Sequence, residues 1–182
     1  AQPGASRVGG GLGGEAGLAA LRVALGSPCD VAGAARHTGR SLIRVEGMAG
    51  SVAYRVGRLG ALVGGDVTVA EAEASAMLWR GVRDVAPLTG KTGEVWRIAT
   101  LPTAAAEVVS RTGGEALWDW GGGLVWLLLD SGRGAEVAAA VAGRGHATLD
   151  NKTYTVALDQ GHVIAPEGGR IEADGTVFQI LD

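Results

Sequence analysis

The sequence predicts an α+β protein made of two tandem ferredoxin-like units, the first of them incomplete, that share one antiparallel sheet with helices mainly on one face. Three observations predict this class. Residues 95–149 show apolar spacings in the order βαββαβ, residues 15–69 repeat that order without its opening strand, and residues 152–182 carry short alternating runs typical of a β-meander. The predicted parts are a flexible lead-in (residues 1–14), a main domain (residues 15–149) and a β-meander extension (residues 150–182).

Composition excludes several classes of protein. The chain has 182 residues, of which 47% are hydrophobic and 19% charged, so it can bury a core and is not disordered. The net charge of −3 comes without a cluster of basic residues, which excludes nucleic acid as a partner. The single cysteine, Cys29, fits a reducing, cytoplasmic compartment. The longest apolar run, residues 124–129, is far shorter than the roughly 20 residues that span a membrane.

The first fourteen residues are rich in glycine and show neither the helical nor the strand period. They are therefore predicted to be flexible, and the opening strand of the first unit is either missing or hidden among them. A missing strand would indicate a chain cut from a longer protein. The glycines at residues 9–14 could suggest a phosphate-binding loop, but we interpret them as a linker because no strand is predicted before them and the P-loop lysine is missing.

A helix and a hairpin follow. Leu18, Leu21 and Leu25 recur at helical spacing, and glycine and proline directly after them end the helix. Residues 30–35 and 41–46 are predicted to pair as a hairpin around a turn that contains His37.

Two further helices of the first half each have one apolar face. The second helix, capped by Ser51, has this face at Val52, Val56, Leu59 and Val63. A strand at residues 66–69 comes next. The third helix ends before Pro87 and has its apolar face at Ala74, Leu78, Val82 and Val85.

The second half contains every element of the unit. The predicted strands cover residues 95–99, 115–120, 124–129 and 146–149, and the predicted helices open at Pro102 and at residue 134. The strand at residues 124–129 reads LVWLLL and is apolar on both faces, whereas a strand with one wet face alternates. Its second face is therefore expected to be covered by the C-terminal segment, a partner chain or a lost domain.

Six segments of the main domain carry a family resemblance. They read ALGSPCDVAGAA (residues 24–35), LIRVEGMAGSVAYRVGRLGALVG (42–64), LWRGVRDVAPL (78–88), VWRIATLPTAAAEVV (95–109), ALWDWGGGLVWLLL (116–129) and GRGHATL (143–149). In this order they resemble the region that follows the flavin module in the FAD-binding E subunit of bacterial glycolate oxidase. That family is related to the vanillyl-alcohol oxidase class of flavoproteins.

The resemblance implies a cap domain of ferredoxin-like topology that lies over a flavin domain and helps to close the substrate pocket. It implies FAD-dependent oxidation of a small 2-hydroxy acid, with electrons passed on through partner subunits that include an iron–sulfur protein. Through such partners the chain would lie at the periphery of the inner membrane. Because the 14-residue lead-in cannot build the family's flavin module, the chain alone is expected neither to bind FAD nor to be active.

Two residues are candidates for binding the substrate. Arg97 lies between Trp96 and Ile98 on a strand, so its side chain faces away from theirs and could hold a carboxylate through two hydrogen bonds. An ordinary salt bridge is the alternative. His146 opens a strand after the last helix, where a base or proton donor could meet a ligand, although a lone histidine is more often structural.

Trp118, Asp119 and Trp120 are candidates for facing the flavin or the substrate. They end a strand beside three glycines, which let a ligand approach the backbone closely. The alternative is a hairpin with core tryptophans and a turn-capping aspartate. The histidines outside these candidates, His37 and His162, are predicted to be solvated in turns, and no carboxylate cluster has the spacing of metal ligands.

A non-catalytic binding or assembly module is the competing hypothesis for function. Such a module would dock another protein, or a second copy as a homodimer, through the apolar face of the sheet. Flavin retained by the purified chain, or oxidation of glycolate with added FAD, would exclude it.

Overall fold

The structure is a computed structural model that describes residues 4–10, 14–64, 66–150, 157–159 and 162–164. The chain divides into two compact bodies, residues 1–151 and residues 152–182. In the first body the elements are β1 (Gly4–Gly10), α1 (Gly14–Leu25), β2 (Val31–His37), β3 (Arg40–Glu46), α2 (Ala49–Val63), β4 (Asp66–Glu71), α3 (Ala72–Arg83), β5 (Glu94–Thr100), α4 (Ala105–Thr112), β6 (Glu115–Asp119), a 3₁₀ turn (Trp120–Gly122), β7 (Leu124–Leu129), α5 (Gly134–Val141) and β8 (Gly145–Asp150).

Eight of these strands form one sheet in the order β4-β1-β3-β2-β6-β7-β5-β8, and every neighbouring pair is antiparallel. Each half contributes four strands. Within each half the fourth strand lies beside the first, the first beside the third and the third beside the second, which is the order of a ferredoxin-like βαββαβ unit. The predicted α+β class with tandem ferredoxin-like units is confirmed.

The first unit is complete, because its opening strand lies in the glycine-rich lead-in. Strand β1 pairs along its length with β3 and β4, from Gly4 opposite Glu46 to Gly10 opposite Asp66. Strands are paired through backbone N–H and C=O groups, which glycine has like other residues. A glycine-rich segment can therefore form a strand without an alternating pattern of apolar residues. The predictions of a flexible lead-in over residues 4–10 and of an incomplete first unit are wrong. The strand whose absence would have indicated a chain cut from a longer protein is therefore present.

The predicted hairpin of the first half is confirmed, with a tighter turn. Thr38 and Gly39 alone connect β2 to β3, and both have positive φ, 41° and 77°. Two positive φ angles in a two-residue connection are typical of the type I′ turn, whose twist matches that of the strands it joins. The turn therefore brings His37 and Arg40 opposite each other at the end of the ladder.

Strands β2 and β6, which are equivalent in the two units, join the halves of the sheet. Their register consists of Arg36 opposite Trp118 and His37 opposite Leu117. The two ferredoxin-like units are thus related by an approximate two-fold axis between these strands.

Four helices, α1, α2, α4 and α5, pack on one face of the sheet, which we call the helix face. Their buried side chains include Leu18, Val56, Val108 and Val137 and form one core with inward-facing strand residues such as Ile98. Helices mainly on one face were predicted, and this is confirmed. Helix α2 also has its predicted buried face, but it begins at Ala49 and its N-cap, Met48, makes no side-chain cap hydrogen bond, so the predicted cap at Ser51 is wrong.

Helix α3 lies on the opposite face, which we call the second face. Its Trp79 and Val82, followed by Val85 and Leu88 in the segment after the helix, pack against strand residues such as Leu117. Trp79 fits because Gly33 has no side chain: a Cβ there would lie 2.8 Å from the indole ring.

Of the apolar face predicted for the third helix, Val82 and Val85 do pack against the sheet, although Val85 lies after the end of α3, whereas Ala74 and Leu78 do not belong to it. Ala74 is exposed and Leu78 is 36% exposed, whereas Ser75 is buried. Apolar residues occur on both sides of this helix, so spacing alone did not identify the side on which Trp79, the largest of them, is held against the sheet.

The strand that is apolar on both faces, β7, is covered on its second side by the chain itself. Leu128 is buried and Trp126 half-buried in the cluster formed with α3 and the segment after it. A cover was predicted, but the three candidates named for it did not include α3 and the segment after it, which supply the cover within the described residues.

The second body contains a short antiparallel hairpin. Strand β9 (Ala157–Asp159) pairs with β10 (His162–Ile164), with Leu158 opposite Val163. The remaining predicted strands of the meander lie outside the described residues.

Candidate functional site

The part of the second face formed by β6, β7, β5 and β8 carries most of the residues singled out by sequence. Residues directly opposite one another on neighbouring strands share a face, so the register defines rows of side chains across the sheet. One row contains Leu117, Trp126, Arg97 and Thr148. The next row contains Asp119, Leu124, Ala99 and His146.

Arg97 lies on this surface within cation–π distance of an aromatic ring. Its guanidinium carbon is 5.9 Å from the centroid of the Trp126 ring, and the two residues are direct partners across β5 and β7. Within the described residues Arg97 forms no salt bridge, which was the alternative interpretation of this residue. Its contact there is the cation–π contact with Trp126. The planar edge of the guanidinium is therefore available to a carboxylate, which it can bind through two parallel hydrogen bonds.

His146 is a diagonal neighbour of Arg97. It is exposed on β8 and lies two residues from Thr148, the direct partner of Arg97. Diagonal neighbours on one face are about 7–8 Å apart between Cα atoms, within reach of two long side chains. The structure thus brings together both predicted substrate-binding candidates. We call Arg97, Trp126, His146 and Thr148 the Arg97 patch.

Asp119, Trp118 and Trp120 lie in three different surroundings. Asp119 shares a row with His146 but is separated from it by three strand spacings, about 14 Å. Trp118 packs on the helix face, away from the Arg97 patch. Trp120 is 58% exposed, with a φ of 51° at the start of the 3₁₀ turn. The structure therefore does not group these three residues with Arg97.

Asp119 caps the turn that follows β6. Its Oδ1 accepts a hydrogen bond of 2.8 Å from the backbone N–H of Trp120. Burial raises the pKa of the Asp119 carboxyl, and the bond from Trp120 opposes that rise. The aspartate is thus a turn cap whose negative charge is poorly solvated.

The Asp119→Asn variant is expected to be more stable than the parent at neutral pH and equal to it in acid. A raised pKa in the folded state means that the folded protein disfavours the ionised carboxyl of Asp119. The parent therefore has its full stability below the unfolded pKa of about 3.9 and loses stability as pH rises through the folded pKa. Asparagine keeps an oxygen for Trp120 without the charge. Urea unfolding at pH 3 and pH 7 measures the difference, with the exposed Asp150→Asn as a control for lost charge; an Asp119→Asn variant less stable than the parent at pH 7 would contradict it.

His37, predicted to be solvated in a turn, is instead part of a polar chain on the second face. Its Nδ1 lies 3.1 Å from the carbonyl oxygen of Ala116, and its Nε2 lies 3.3 Å from Oε1 of Glu115. The other carboxylate oxygen of Glu115 accepts a 2.5 Å bond from Lys91. The prediction for His37 is wrong, because the β2 and β6 register places its ring between the two units.

A shallow cavity of about 240 Å³ lies on the helix face at the edge of the sheet, between α5 and β8. Its walls include Trp96, Ala138 and Val141, and His146 also borders it. Small and apolar side chains make up most of this lining, so the cavity has few groups that could orient a polar ligand.

The glycine-rich stretch near the start of the chain is the feature to compare with a nucleotide-binding loop. A strand does precede the glycine-rich stretch, since β1 ends at Gly10 and α1 begins at Gly14, which corrects the premise of the linker interpretation. Both neighbours of β1 are antiparallel, however, whereas dinucleotide-binding folds use a parallel βαβ unit. The stretch after β1 therefore does not have the strand arrangement of a Rossmann-type dinucleotide-binding loop. Within the same residues no three His, Cys, Asp or Glu side chains group as metal ligands, and no helix is long and apolar enough to cross a membrane.

No protein-family model matches the chain, and no significant match was found among curated proteins.

Proposed function

We propose that this chain is the cap, or substrate-domain, portion of an FAD-dependent oxidase of small 2-hydroxy acids, similar to the E subunit of glycolate oxidase, and that Arg97 holds the substrate carboxylate. The observation that carries the proposal is the guanidinium of Arg97, which lies within cation–π distance of Trp126 and has no ion pair among the described residues. The six-segment resemblance supplies the reaction class.

The Arg97 patch has the chemistry that a small 2-hydroxy acid requires. The carboxylate of such an acid matches the two-pronged guanidinium, and its hydroxyl lies one carbon away. Thr148 is the direct partner of Arg97 on β8 and can exchange a hydrogen bond with that hydroxyl, while His146, the diagonal neighbour, can hold or move its proton. The patch is one wall of a pocket, and the flavin and the electron acceptors belong to a flavin domain and partner subunits.

Glycolate binding by the purified full chain tests the proposal. Arg97→Gln is expected to weaken glycolate binding at least about tenfold, because a hydrogen bond to a charged group contributes about 1.5–3 kcal/mol and about 1.4 kcal/mol corresponds to tenfold. NMR titration, which measures millimolar affinities, is suited to half of a binding site. Arg58→Gln, an exposed arginine on α2, controls for the loss of one positive charge. The neutral amide of glycolate should not bind.

Unchanged glycolate affinity in Arg97→Gln would contradict the proposal. So would equal losses in Arg97→Gln and Arg58→Gln, since these would indicate attraction by net charge alone.

The alternative, a non-catalytic binding or assembly module, is favoured by exposed apolar side chains on the outer side of α3. Met77 is 56% exposed there, beside Leu78. The apolar part of the sheet itself is covered by α3, so docking would use this outer side. The glycolate titration separates the hypotheses, because an assembly module has no reason to bind a hydroxy acid through Arg97.

A further inference from the structure

We infer that Trp126 is the positioning residue of the site: it holds the guanidinium of Arg97 flat against the second face, with its N–H edge turned to the substrate carboxylate. The inference rests on the proposed function, because it assigns a role within the same carboxylate site. Trp126 does not touch the substrate in this role. It acts through Arg97.

The two side chains lie within cation–π distance of each other. Trp126 on β7 and Arg97 on β5 are direct cross-strand partners, and 5.9 Å separates the guanidinium carbon from the ring centroid. This is within the range over which the negative face of an indole attracts a cation. A cation–π contact uses the charge of the guanidinium and none of its N–H donors, so these donors remain for a carboxylate.

The Trp126 ring is itself held in place. It is half-buried and packs against the second-face cluster, in which Val82 of α3 and Leu88 of the following segment meet Leu117 of β6. Such packing restricts the ring to one orientation. Arginine has many rotamers, and fixing such a side chain on binding costs conformational entropy, so a fixed ring lowers the cost of ordering Arg97 in the complex.

A purely structural role for Trp126 predicts a different pattern among variants. Cation–π attraction falls from tryptophan through tyrosine and phenylalanine and is lost with leucine. Packing in the second-face cluster depends on volume and polarity, for which phenylalanine and leucine are close substitutes. Glycolate affinity should therefore follow the aromatic order, and stability should not.

The experiment uses the full chain with Trp126→Tyr, Trp126→Phe and Trp126→Leu. Glycolate affinity is expected to fall in that order, with the Trp126→Leu variant about two- to fivefold weaker than the parent. The NMR order of the Arg97 side chain should fall in parallel. In a double variant, Trp126→Leu should cause no further loss once Arg97→Gln is present, because its effect passes through Arg97.

Three outcomes are distinguishable. The aromatic gradient together with lower order of Arg97 supports the inference. Parent-like affinity in all three variants, while Arg97→Gln weakens binding, overturns the role of Trp126 and leaves the proposed function standing. Parent-like affinity in Arg97→Gln itself overturns both. Should the Trp126→Leu variant fold poorly, the comparison of Trp126→Tyr with Trp126→Phe retains the test.

Discussion

Replacing Gly114 with alanine is expected to lower the free energy of unfolding by about 4 kcal/mol, whereas the same change at the adjacent Gly113 should cost only about 1 kcal/mol. Both glycines have positive φ, 91° and 68°, so both variants bear the strain of a left-handed backbone. At Gly114 the added Cβ would also lie 2.4 Å from the carbonyl oxygen of Leu128 on β7. At Gly113 it meets nothing within 4 Å.

The difference between these variants measures how closely the chain passes over β7 before it enters β6. Glu115 pairs with Leu128, so a shift of the backbone at residue 114 disturbs the β6–β7 ladder directly. Urea unfolding followed by circular dichroism gives both free energies. Equal losses would show that the register between β6 and β7 differs from the one described.

Leu88→Ala is expected to lower the free energy of unfolding by about 3 kcal/mol, the cost of a cavity at a large buried side chain. Leu88 is 1% exposed and closes the second face together with Val82 and Val85. Its loss should also loosen the segment that covers Leu117 and Leu128. We therefore expect the variant to bind a hydrophobic dye that the parent does not bind.

Leu101→Ala is the matched control for Leu88→Ala, since Leu101 is 58% exposed and its truncation should change stability by no more than about 0.5 kcal/mol. Thermal and urea unfolding measure both variants, and dye fluorescence reports on the second face. A Leu88→Ala variant as stable as the Leu101→Ala variant would show that the segment after α3 does not seal the sheet.

The elements of the second half could be predicted from sequence because each one has an apolar pattern of its own. Short apolar runs of strand length distinguish β5 to β8 from the helically spaced apolar residues of α4 and α5, and glycines lie beside several of their ends. Strand β1 lacked such a signal. Its residues are mostly small, so no apolar alternation distinguishes it from a linker, and its existence depends on β3 and β4, which the chain reaches only later.

The candidate site could be predicted only in part for a similar reason. The face of Arg97 follows from its place between Trp96 and Ile98 on one strand, which is local information. Its partner Trp126 follows from the β5–β7 register, which sequence spacing does not contain. Arg36 shows the same limit: it is 2% exposed, and a Cβ on Gly17 would lie 2.1 Å from its Nη1. The packing of α1 on the sheet therefore decides the burial of this charged residue.

The link between the two ferredoxin-like units also determines where a ligand can approach. The chain passes from β4 to β5 once, and on the way α3 lies against β1 and β4. These strands are equivalent to β5 and β8 across the two-fold axis, so an arginine placed on β1 as Arg97 is on β5 would lie beneath a helix. The connection between the two units therefore makes the second face asymmetric. Helix α3 lies over β1 and β4, whereas the equivalent surface of β5 and β8 stays accessible.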